Sequence, residues 1–155
     1  MEILAELFNG LVVIIGIYLA FRFDQKKSAN NQIWVARKDA YSIVLSKLDR
    51  VAYYASKIDE GYNTSRVHPE EFHSSEEREK LYENLLKNLS ECMESVRANR
   101  VIISDRFANT LYELRQKTLE IEHNFDFPPI ESRLHSENFL EVHTRLLEIA
   151  RSEVN

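Results

Sequence analysis

The chain has 155 residues, 44% of them hydrophobic and 29% charged, with a net charge of −5 at pH 7. A single cysteine excludes an internal disulfide framework, and the acidic balance argues against binding to duplex nucleic acid. Three glycines and three prolines are too few for a turn-rich strand architecture, so an all-α chain is expected.

Residues 3–21 (ILAELFNGLVVIIGIYLAF) carry one charge, Glu6. As a helix, 19 residues span about 28 Å, close to the ~30 Å apolar thickness of a bilayer. The stretch lacks the basic start and small-residue exit of a cleavable leader, since Tyr18 stands where a small side chain is required. Residues 1–22 are therefore expected to form a transmembrane anchor. Residues 22–38 hold Arg22, Lys26, Lys27, Arg37 and Lys38 against Asp24, a net of +4, which leaves −7 on residues 39–155. Basic residues stay on the cytoplasmic side. The expected placement is thus a bacterial inner membrane, N-terminus outside, with residues 22–155 cytoplasmic. Arg22, Lys26 and Lys27 are candidates for contact with anionic lipid. Within residues 3–21, Glu6, Asn9, Gly10, Val13, Gly16 and Ala20 share a helical stripe. Small and amide side chains suit close helix approach, and a carboxylate at that depth is a functional candidate. Glu6, Asn9, Gly16 and Ala20 are accordingly assigned to helix association, or to the lining of a pore.

Residues 23–31 read as a basic juxtamembrane linker, with Ser28-Ala29-Asn30-Asn31 as the hinge. Residues 32–155 read as one cytoplasmic bundle. Its first helix should run from about Gln32 to Glu60, with Trp34, Tyr41, Val44, Leu48, Val51, Ala55 and Ile58 inward. Gly61 to Ser75 is expected to be a loop. Ser74-x-x-Glu77 reads as a capping box opening a helix to about Asn99, with Leu81, Leu85, Leu89, Cys92 and Val96 inward. Ser104 or Asp105 should cap a third helix with Phe107, Leu111, Leu114, Thr118 and Ile121 on one face. Pro128-Pro129 marks a loop, and Ser136 should cap a last helix burying Phe139, His143, Leu146, Leu147 and Ala150. The expected fold is a transmembrane helix followed by an antiparallel four-helix bundle.

Little in this pattern points to catalysis. Phosphate-loop, serine-nucleophile and zinc-hydrolase motifs are missing from the sequence. Glu70-x-x-His73 and Glu120-x-x-His123 have the spacing of di-iron bundles, but the apolar phase puts Glu120 and Glu122 outside, so no metal or other cofactor is expected. Arg66-x6-His73 matches the spacing of HEPN ribonucleases, where Val67 replaces the usual polar residue and Pro69 interrupts the segment. Arg66 and His73 are the only catalytic candidates. Arg97, Arg100 and Arg106 cluster around the junction between the second and third bundle helices, where helix-start N–H groups and guanidiniums suit a nucleotide-like ligand.

Ala36-Arg37-Lys38-Asp39-Ala40-Tyr41 opening a long helix, and Val101-Ile102-Ile103-Ser104 leading into another, resemble bacterial single-pass membrane proteins with a helical cytoplasmic bundle and no assigned activity. In architecture the chain is also similar to small CRISPR-associated or anti-phage membrane effectors with a divergent HEPN-like bundle. The stripe of Asn9, Gly16 and Ala20 with the apolar seam at Trp34 and Tyr41 leads to the expectation of a homo-oligomer, and the expected partners are the lipid bilayer and a protein or nucleotide-like ligand. The expected function is a membrane-anchored, self-associating interaction module without catalytic activity. The alternative is a pore-forming defence effector triggered through its cytoplasmic domain.

Overall fold

The computed structural model describes residues 2–63, 68–124 and 127–154, and in its first helix the side chains of residues 2–17, Ala20 and Ala29 lie outside the description. Five helices occur in chain order: α1 (Glu2–Asn63), α2 (Pro69–His73), α3 (Glu76–Ala98), α4 (Asp105–Asn124) and α5 (Pro128–Val154). No strand occurs among the described residues. The chain divides into two compact units, Met1–Ala36 and Arg37–Asn155.

The all-helical expectation holds, and the transmembrane helix is corrected. Among the described residues no helix is long and apolar enough to cross a membrane. From Tyr18 onward the apolar side chains of α1 are broken within one turn by Arg22, then by Asp24, Lys26 and Lys27. The described side chains therefore hold no apolar stretch of spanning length. The rest of the apolar run, including Glu6, Asn9 and Gly16, lies outside the described side chains, as does Ala20.

In the second unit, four long helices pack around one core. Register follows from cross-helix contacts. Lys47 Nζ meets Glu91 Oε2 at 2.6 Å, and the Cys92 thiol donates to the Val44 carbonyl at 3.7 Å, so α1 and α3 run antiparallel. Tyr41 donates to Glu153 near the end of α5. Arg145 with Glu113 (3.1 Å) and Lys117 with Glu141 (3.4 Å) set α5 antiparallel to α4. These exposed ion pairs fix register more than stability. The core is the stripe that the spacing picks out: Tyr41, Val44, Leu48, Val51, Ala55 and Ile58 from α1 meet Phe107, Leu111 and Leu114 of α4. Trp34 departs from the expected seam and is 45% exposed.

Helix ends follow their local chemistry, with three corrections. Ser75, not Ser74, caps α3, its Oγ accepting from the Arg78 N–H at 3.1 Å. Ser74 instead closes α2, its hydroxyl donating to the carbonyls of Glu70 and Glu71. Ser104 caps α4 through the Phe107 N–H at 3.2 Å. Pro128 opens α5 rather than marking a loop, because a proline in the first turn gives up an N–H that has no partner there. Ser136 consequently sits inside that helix. Gly61 lies within α1, and its place there is steric. A Cβ on it would sit 2.1 Å from the Phe72 ring, so the absence of a side chain lets α2 close over the end of α1.

Candidate functional site

Where α1 ends and α5 begins, the bundle encloses a cavity of about 80 Å³. Its walls are largely apolar, from Ile58, Leu85, Leu89 and Phe139, and its polar groups come from all five helices. The Ser75 cap fixes the first turn of α3 and so presents Arg78, whose guanidinium lies 4.8 Å from the centre of the Tyr82 ring. Tyr62 reaches in from α1, its hydroxyl 2.6 Å from His73 Nδ1 and its ring edge-on to Phe72 at 4.9 Å. From α5, His135 stacks on Phe139 at 6.1 Å and holds Nε2 3.5 Å from Glu131 Oε1.

Burial governs the electrostatics. It pushes the Tyr62 and Tyr82 phenols above their usual range, with Arg78 opposing the shift at both. Burial also lowers His135, against the opposing pull of Glu122. Two buried atoms on the cavity side chains have no hydrogen-bond partner: Arg78 Nε and His135 Nδ1.

The residues singled out from sequence fall elsewhere, with one exception. His73 lines the cavity, and its Nδ1 is engaged by Tyr62. Arg66 lies outside the described residues. Arg97, Arg100 and Arg106 are all exposed, and Arg100 is paired with Asp105 at 2.7 Å. The nearby helix-start donors are internally occupied as well. The Ser104 N–H donates to the Tyr41 hydroxyl at 3.2 Å, and the Phe107 N–H to Ser104 Oγ. Arg22, Lys26 and Lys27 are exposed on α1, and Arg22 donates to the Tyr18 hydroxyl at 3.2 Å. Cys92 is buried, and desolvation pushes its thiol up to about 12. Among the described residues, no three His, Cys, Asp or Glu side chains are placed to hold a metal ion. Glu120 and His123 both face solvent.

Sequence reasoning missed Tyr62, Arg78, Tyr82 and His135. The available signal was phase: Tyr62 follows Ile58 by four residues and His135 precedes Phe139 by four, which puts both polar rings on the inward stripes of their helices.

A second feature belongs to the first unit. Tyr18, Leu19, Phe21, Phe23, Ile33, Trp34 and Val35 are all large, apolar and exposed, with Phe23 at 69% and Ile33 at 54%. Leu19, Phe23 and Trp34 are separated by 4 and 11 residues, each near a whole number of helical turns, and so share one face.

No protein-family model, curated protein or solved structure matches the chain.

Proposed function

We propose that this protein is a non-enzymatic helical interaction module that self-associates through its first helix at an anionic lipid surface. The observation that carries the reading is the run of exposed aromatic and aliphatic side chains between Tyr18 and Val35, interleaved with Arg22, Lys26 and Lys27. Large apolar patches left open on a protein mark an interaction surface. Each large side chain withdrawn from water contributes about 1.5–3 kcal/mol, so a few facing residues from two copies supply enough to hold a pair. The three cations each add about 1 kcal/mol next to an anionic headgroup layer. Aromatic side chains flanked by bases suit the headgroup boundary, and the reading requires no membrane-spanning helix.

Two measurements test it. Ile33→Cys should give a disulfide-linked dimer on mild oxidation, because buried Cys92 is shielded and does not compete. Wild-type protein should co-sediment with vesicles containing phosphatidylserine, and Lys26→Gln with Lys27→Gln should weaken that binding. A chain that neither cross-links at position 33 nor prefers anionic vesicles would overturn the proposal. If dimers form and entrapped dye also escapes from the vesicles, the pore-forming alternative replaces the scaffold reading.

A further inference from the structure

We propose that the cavity between Arg78 and His135 is a binding site for a small neutral molecule that carries one hydroxyl on a compact apolar body. Arg78 of α3 and His135 of α5 line the cavity, and the buried Arg78 Nε–H and His135 Nδ1 have no hydrogen-bond partner. Arg78 cannot be deprotonated, so its Nε is a fixed donor. The tautomer of His135 follows from its neighbours. Nε2 faces the Glu131 carboxylate at 3.5 Å, which draws the ring proton to that nitrogen and leaves a lone pair on Nδ1. Burial lowers the pKa of the ring, which favours its neutral form. A buried group without a partner is costly, and a ligand that satisfies both atoms recovers that cost.

The pairing of one donor with one acceptor selects the ligand chemistry. A carboxylate would suit Arg78 but meet the His135 lone pair and the charges of Glu122 and Glu131, which also line the cavity. An ammonium group would suit those acids but be repelled by Arg78. A hydroxyl is both acceptor and donor, so its chemistry matches the Arg78 donor and the His135 acceptor together. Around it, Ile58, Leu85, Leu89 and Phe139 provide apolar walls. The volume, about 80 Å³, is roughly half that of an engineered ~150 Å³ cavity that binds benzene. It therefore encloses the hydroxyl end and part of a ring or short alkyl chain.

Phenol is a suitable probe, with toluene, benzoate and benzylammonium as comparisons, each titrated into the full chain while the ring signals of isotope-labelled Tyr62 and Tyr82, which also line the cavity, are followed by NMR. Phenol should bind saturably and at least tenfold more tightly than each of the other three. His135→Phe keeps a ring at the position but removes the acceptor, and should collapse the phenol-to-toluene ratio toward one. Arg78→Met should do the same from the donor side, so either variant suffices if the other fails to fold. Because the readout is a ratio within one protein, general destabilisation does not imitate it. Absence of saturable phenol binding up to its solubility limit would mean that the cavity holds only water, and the proposal would fail. Equal affinity for phenol and toluene, or a ratio unmoved by both variants, would refute it as well.

Discussion

Tyr41 should be a sensitive position in the bundle, because it ties α1 to α4 and α5. Its ring stacks on Phe107 with centroids 4.4 Å apart, while its hydroxyl donates to Glu153 and accepts from the Ser104 N–H at 3.2 Å. Ser104 Oγ donates to the other Glu153 oxygen at 2.8 Å, closing a network across α1, the start of α4 and the end of α5. Tyr41→Phe retains the stack and deletes only the hydroxyl. It strands an N–H and removes a hydrogen bond to a carboxylate, which together should cost about 1.5–3 kcal/mol. With a urea dependence of about 1–3 kcal/mol per molar, the midpoint should fall by about 1 M. Ser104→Ala should cost about 1–2 kcal/mol through the lost cap. Since both residues share Glu153, the double variant should be less destabilised than the sum, with a coupling of about 0.5 kcal/mol or more. Circular dichroism during urea unfolding reads all four proteins. Burial, then the bond to Glu153, raises the Tyr41 phenol, so its contribution is complete below pH 10 and is lost as pH rises through the folded value. Tyr41→Phe should flatten this alkaline loss. A Tyr41→Phe variant within 0.5 kcal/mol of wild type, additive with Ser104→Ala, would refute the network.

Gly61→Ala should destabilise the chain by about 1–3 kcal/mol, because its methyl group would enter the ring of buried Phe72; an unchanged melting temperature would show that α2 does not close there. Asn138 is 2% exposed and neither of its amide atoms has a partner, so Asn138→Leu should raise stability by about 1–2 kcal/mol in chemical denaturation; a loss would show that the carboxamide is satisfied in solution. Cys92 should stay inert to Ellman's reagent at pH 8 in the folded chain and react fully in denaturant, and rapid native labelling would place it outside the core.

The core was legible because its signal is local and repeated. Phe107, Leu111, Leu114, Thr118 and Ile121 are all buried on one side of α4, as a helical period requires. Helix ends were less legible, since Gly and Pro have more than one use. Gly61 reads as a breaker and turns out to clear space for Phe72, while Pro128 reads as a loop and opens a helix. The serine pair at positions 74 and 75 divides its work between two helices, and only the geometry of α2 decides which one caps α3. The long apolar run near the N-terminus read as a span through its length, whereas its described side chains are only Tyr18, Leu19 and Phe21 and no described helix is long and apolar enough to cross a membrane. The cavity was invisible for a different reason. Tyr62, the Arg78–Tyr82 pair and His135 lie far apart in sequence, match no motif, and come together only when α1, α3 and α5 pack.

Sedimentation equilibrium of the full chain in mild detergent, over a hundredfold range of concentration, tests self-association most directly. Wild type should show a molar mass above that of one chain, falling toward it on dilution. Phe23→Asp combined with Ile33→Asp places charges on the exposed run and should give a monomer at every concentration while retaining the helicity of the bundle. A wild-type chain that is monomeric throughout, or a double variant that associates as wild type does, would contradict the assignment of α1 as the interaction surface.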